Sequence, residues 1–173
     1  SVGINAQVRA HLHPSKFTNE KRLRVFGEGI TGYEYWVEDP EAEGKYIPER
    51  CDFRPKELPE NARVNDKTNK KDEPKRFVAL VVWDYEAEDF RILHMTQKSL
   101  YGPLLLLMDD EDWGEPTEYD IKINKKGEGL KTEYSLKPVS KKKPSTAIQA
   151  AFEDLSCDLS KMMEGEDPWA EEA

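Results

Sequence analysis

Cationic and aromatic side chains interleave in this chain in the pattern that an unpaired nucleic-acid strand requires. Lysines and arginines neutralise phosphates, aromatic faces stack under bases, and each stacked base contributes about 1–3 kcal/mol. Arg76, Arg91, Lys122, Lys125, Lys126 and Lys131 are the candidates for the phosphates, and Tyr33, Tyr35, Trp36 and Trp83 for the bases. Each taken alone is as readily a solvated strand position or a packed ring. It is their grouping that points to single-stranded DNA, bound in a salt-sensitive way through counterion release. At the far end, Asp167, Pro168 and Trp169 set an aromatic anchor among acids. That reads as a peptide docking on replication or recombination proteins, or as a solubilising tail.

Metal and catalytic chemistry have weaker claims. His11, His13, Cys51, His94 and Cys157 are the residues able to ligate zinc. The His11-Leu12-His13 pair has no cysteine couple nearby, unlike the spacing of structural zinc sites, so no metal is expected. Acidic runs at 84–89 and 109–112 offer carboxylates to a magnesium-dependent nuclease, yet acids in a hairpin turn or beside a helix end are more often solvated. A glycine-rich phosphate loop, a nucleophile elbow and a Cys/His pair are all missing. The expectation is a binding protein with no catalysis and no cofactor.

Charge is distributed unevenly. Of the formal net charge of −9, residues 153–173 carry −7, from eight acids against Lys161 alone, which leaves −2 for the rest. The low isoelectric point therefore describes the end of the chain, and a basic surface elsewhere is compatible with it because fields screen within about 10 Å. Two distant cysteines do not make a disulfide framework, residues 1–10 do not resemble a secretion signal, and no apolar run approaches the roughly 20 residues of a membrane span. A cytoplasmic protein without membrane contact is expected.

Periodicity assigns the elements that would position these groups. Residues 21–26 alternate as a strand, Gly27-Glu28-Gly29 marks a bend, and residues 30–37 resume with Tyr33, Tyr35 and Trp36. Residues 39–75 form a long polar loop. Residues 77–83 and 90–95 read as a hairpin whose first strand is buried on both sides. Leu100, Leu104, Leu107 and Met108 form a helical stripe interrupted by Pro103. Residues 119–123 and 130–137 alternate as a second hairpin, apolar inside and charged outside. Ser145 or Thr146 caps a last amphipathic helix bearing Ile148, Phe152, Leu155, Leu159 and Met162. It packs on its own body or serves as a surface for a homo-oligomer. The order of elements fits a mainly β OB-fold, a five-stranded barrel with one helix between strands 3 and 4. Residues 1–144 would form the barrel with its loop 39–75, 145–163 the helix, and 164–173 the acidic tail.

Several blocks resemble the single-stranded DNA-binding proteins of bacteriophages, the T4-type helix-destabilising proteins and their relatives in tailed phages. They are Phe77 to Trp83, Leu93-His94-Met95-Thr96-Gln97-Lys98, Asp110-Glu111-Asp112-Trp113-Gly114-Glu115-Pro116-Thr117, and Tyr119-Asp120-Ile121-Lys122-Ile123 with Gly127-Glu128-Gly129-Leu130-Lys131-Thr132-Glu133-Tyr134. The resemblance implies an OB-fold, sequence-independent single-strand binding in the infected host cell for replication and recombination, no catalysis, and an acidic end that recruits partners. Relatives with a cysteine-rich zinc subdomain carry it where this chain keeps only Cys51. The alternative function is an acidic DNA mimic that inhibits a nucleic-acid enzyme.

Overall fold

The alternating residues from Lys21 onward form β1, Lys21–Glu38, a strand of 18 residues that takes three partners. Its first half lies between β5, Lys75–Asp84, and β7, Tyr119–Lys126. Its last six residues pair with β2, Tyr46–Cys51. Strand β5 continues into β6, Asp89–Met95, through a tight turn, and β7 into β8, Glu133–Lys141. Between the hairpins lies helix α1, Lys98–Asp109, which buries Leu100 and Leu104 and carries Pro103 inside it. The described residues are 11–170 of this computed structural model. The reading of residues 1–10, and the acids Glu171 and Glu172 of the tail, lie outside them.

The bend in β1 falls at the glycine pair. Between Phe26 and Ile30 the register against β5 shifts, and Gly27 adopts φ +66°. A Cβ on Gly29 would collide with the Leu80 side chain and the Ala79 carbonyl oxygen, so only glycine permits this approach of the two backbones.

Strand order in the main sheet is β6-β5-β1-β7-β8, with β2 on the outer half of β1. This corrects the expected OB-fold. Closing a barrel requires the terminal strands to pair, and among the described residues β6 and β8 do not. The edge of β6 is instead taken by the chain near its start: the Leu12 N–H donates to the Ile92 carbonyl (2.7 Å), and the His94 N–H donates to the Leu12 carbonyl (2.9 Å). With that edge occupied and α1 packed beside β8, the result is an open α/β sheet of six strands, with a separate ribbon of β3, Val64–Asn65, and β4, Lys70–Lys71. The polar stretch 39–75 is thus built partly of strands. No helix among the described residues is long and apolar enough to cross a membrane.

The uninterrupted apolar run of β5 is explained by a core on each face of the sheet. Val78, Leu80 and Val82 join Leu23, Leu100, Leu104 and Ile121 on one face. Phe77, Ala79 and Val81 join Phe26, Phe90 and Ile92 on the other. Over this second face runs the end of the chain. Ser145 caps helix α2, Thr146–Glu153, by accepting a bond from the Ile148 N–H. The apolar spacing continues past Glu153, but the helix does not: Leu159–Glu164 is a 3₁₀ turn, and Leu159, Met162 and Trp169 are buried in the second core. The side chain of Trp169 is therefore part of the fold, and the Asp158 N–H bonds to the Pro168 carbonyl at 2.8 Å.

Inside the sheet lies a charge that alternation assigns to solvent. Asp120 is fully buried and accepts from Arg24 Nε (2.6 Å), Arg22 Nε (2.7 Å) and the Tyr85 hydroxyl (2.8 Å). Arg24, also fully buried, donates through Nη1 to the Lys142 carbonyl at 2.8 Å and the Thr117 carbonyl at 3.2 Å, while Nη2 has no partner. Burial works against the charge on Asp120, but the bonds from Arg24, Tyr85 and Arg22 outweigh it and hold its pKa below the ordinary value.

Because the folded-state pKa of Asp120 is depressed, its contribution is complete above the unfolded value of about 3.9 and is lost as pH falls through the folded one. Asp120→Asn leaves Arg24 buried beside a neutral group and costs about 3–5 kcal/mol in urea unfolding at pH 7, with a smaller penalty at pH 3. Trp169→Ala opens a cavity in the second core and costs about 3–5 kcal/mol by the same measurement, whereas an unmoored tail would show no change.

Candidate metal centre

The bridge between Leu12 and Leu93 determines which way the neighbouring side chains point. Both leucines belong to the first core, and successive strand residues face opposite ways, so His11, His13 and His94 emerge together on the second face. Pro14 then turns the chain into a short 3₁₀ segment, Pro14–Lys16, that ends the extended run. The imidazole centroids stand 5.1 Å (His13 to His94), 6.3 Å (His11 to His13) and 6.4 Å (His11 to His94) apart. One ligating nitrogen from each ring lies within 4.8 Å of the other two.

His94 is 5% exposed, and its Nδ1 has no hydrogen-bond partner. Its Nε2 stands 3.1 Å from Glu34 Oε2, within ion-pair distance of that carboxylate. A buried ring nitrogen left unpaired costs roughly 1–3 kcal/mol, which a bound cation at Nδ1 would offset. Burial pushes the pKa of His11 down to about 4, with His94, His13 and Arg50 adding to the effect and Asp167 opposing it. Burial and then the charge on His94 lower that of His13 as well. Neutral imidazole is the form that ligates metal.

Around this cluster is a supporting shell. Glu34, 6% exposed, accepts from Arg50 Nε at 3.1 Å, and Arg50 Nη1 donates to the Met162 carbonyl at 3.2 Å. The Arg50 guanidinium also lies over the Phe77 ring, whose edge meets His94. Burial raises the Glu34 pKa, but His94 and Arg50 outweigh it, and the net direction is downward. A carboxylate behind a histidine ligand fixes the ring and raises its basicity. Cys51 is not part of this cluster; its thiol donates to the Phe53 carbonyl at 3.1 Å.

The residues selected for nucleic acid do not form one face. Lys122, Lys125, Lys126 and Lys131 lie on the β7–β8 hairpin, which meets β1 at Lys21 to Arg24. Tyr33, Tyr35 and Trp36 lie beyond the bend, on the half of β1 that pairs with β2. Tyr33 lies nine positions along the strand from Arg24, up to about 30 Å away. Several of these groups already have partners. Tyr35 donates to Glu49 at 2.7 Å, Trp36 lies under Arg63, and Trp83 packs edge-on against Phe90. Arg91 pairs with Asp89, Lys122 with Glu20, and Lys125 donates to the Ser15 carbonyl. Lys126 and Lys131 are exposed, as is Arg76, which lies over Tyr101. At the tail, Asp167 is exposed while Pro168 and Trp169 are buried. The expected single-strand binding face is therefore corrected.

The DNA-mimic alternative and the nuclease reading meet the same geometry. Glu34, Asp84 and Asp120 are buried in internal ion pairs and so form no phosphate-like surface row. Asp84 Oδ1 accepts from the Glu86 and Ala87 N–H groups and Asp110 Oδ1 from those of Asp112 and Trp113, so these acids build turns.

Sequence reading set His11, His13 and His94 aside because no local spacing unites them, and it missed Glu34, Arg50, Arg24 and Asp120 entirely. No local signal was available, because alternation puts Asp120 and Arg24 opposite the apolar residues of their strands, on the face it assigns to solvent. Comparison of the chain with family models, with curated proteins and with solved structures finds no match, so the resemblance to phage helix-destabilising proteins is supported neither by kinship nor by a closed barrel.

Proposed function

We propose that this domain holds a divalent transition-metal ion through His11, His13 and His94, and that its role is binding without catalysis. The observation that carries this reading is the convergence of three imidazoles around a buried His94 that keeps Nε2 on Glu34 and leaves Nδ1 without a hydrogen-bond partner. All-imidazole ligation suits zinc, copper, nickel or cobalt, and excludes magnesium and calcium, which take oxygen. Metal–nitrogen distances of about 2.0–2.1 Å require the three nitrogens to stand roughly 3.4 Å apart, so the rings need close by no more than about 1.5 Å. Glu34, braced by Arg50, would orient His94.

Such an ion ties the segment bearing His11 and His13 to β6, across the edge where the sheet stays open. Its effect on the fold is then one of mass action, about 2.7 kcal/mol of added stability at a hundred times the dissociation constant. We place the domain in the cytoplasm, the compartment in which Cys51, an unbridged thiol, stays reduced.

Chelator-treated protein titrated with Co²⁺ at neutral pH is expected to develop visible d–d absorption that saturates at one ion per chain. His13→Gln, at a half-exposed position, should weaken binding at least about tenfold, and Cys51→Ser should leave it unchanged. Saturable binding that survives replacement of all three histidines, or no binding at micromolar metal, would defeat the proposal.

A further inference from the structure

On the face opposite the histidines, the bend of β1 opens a cavity beneath α1. Its volume is about 160 Å³. Ile30, Leu80, Leu104, Leu105 and Met108 are among its lining residues, with Leu80 and Leu104 buried. The glycine bend borders it: Ile30, Thr31 and Gly29, whose missing side chain lets β1 approach β5, are also lining residues. Leu105 and Met108 are each 38% exposed, so the helix presents apolar surface here that the described residues leave partly uncovered.

Arg76 stands at the mouth of the cavity. Its guanidinium lies over the Tyr101 ring, 5.6 Å from the centroid, and Nε donates to the Thr31 hydroxyl at 3.4 Å. No acid among the described residues forms an ion pair with it. Stacking and the Thr31 bond hold the planar group in place, while both terminal nitrogens remain available as a fork. That fork matches a carboxylate bidentately. A phosphate monoester, with nearly twice the charge, would call for further cations that this rim does not supply.

We propose that this cavity binds a short-chain fatty carboxylate, with the acyl chain beneath α1 and the carboxylate on Arg76. Size and polarity set the class of ligand. Apolar cavities of about 150 Å³ accept a six-carbon hydrocarbon, and drug-sized ligands need about 300 Å³ or more. A chain of about six carbons therefore fills the space, and its charged end emerges at the only cation placed to receive it among the lining residues. The site is independent of the histidine cluster, so its success or failure leaves the metal reading untouched.

The test is a ¹H–¹⁵N chemical-shift titration of the whole chain with hexanoate, with hexanol and hexylammonium as uncharged and oppositely charged probes. Hexanoate should saturate with a dissociation constant on the order of 0.1–1 mM. Shifts should centre on Gly29, Thr31, Arg76 and Tyr101, and hexylammonium should bind at least about tenfold more weakly. Arg76→Gln should lower hexanoate affinity about tenfold while leaving hexanol unchanged. Leu105→Asp, at an exposed position that does not threaten folding, should weaken both. The proposal is overturned if hexanoate fails to saturate, if it binds no better than hexylammonium, if Arg76→Gln has no effect, or if the shifts lie elsewhere.

Discussion

The buried pair of Arg24 and Asp120 is the interaction on which the sheet depends. Two charges taken out of water must satisfy each other and find further hydrogen bonds, or the fold loses several kcal/mol per ion. Here Asp120 collects Arg24, Arg22 and Tyr85, while Arg24 also reaches the carbonyls of Thr117 and Lys142. One ionic cluster thus joins β1, the turn after β5, β7 and the exit from β8. A slip of β1 by one residue would exchange Arg24 for an apolar neighbour and leave Asp120 unpaired, so the pair selects the register.

Once that register is set, β1 dictates the rest of the layout. Its inner half places Leu23 and Val25 in the first core and Phe26 in the second. Its glycine bend turns the outer half toward β2, and there Glu34 meets both Arg50 and His94. Arg50 bonds in turn to the carbonyl of Met162, so the histidine cluster, the outer sheet and the terminal strap share one connected set of polar contacts. The cavity beneath α1 and the histidine cluster occupy opposite faces of the same strands, and the bend serves both.

Much of this was legible locally. The β5–β6 hairpin, the doubly buried β5, the leucine stripe of α1, the glycine bend and the cap at Ser145 all follow from periods of 2 or 3.6 and from turn chemistry. Asp120 and Glu34 were illegible for the opposite reason. Their positions obey strand alternation, but whether a strand face meets solvent depends on what lies across it. The terminal segment was half legible: its apolar spacing runs on to Met162, yet the helix stops at Glu153, beside Phe152 packed on Phe26 and Phe90, and a turn carries the chain onward.

The open sheet shows where the division falls. Side-chain pattern alone determined that this chain makes strands, a bend, two hairpins and two amphipathic helices, since each depends on residues a few places apart. Which backbone edges meet is another matter, because N–H and C=O groups are the same at every residue but proline and carry almost no pattern of their own. Only the tertiary structure decided that Leu12 takes the edge of β6, leaving β8 unpaired with it. That single choice kept the barrel from closing and carried His11 and His13 across the chain to His94.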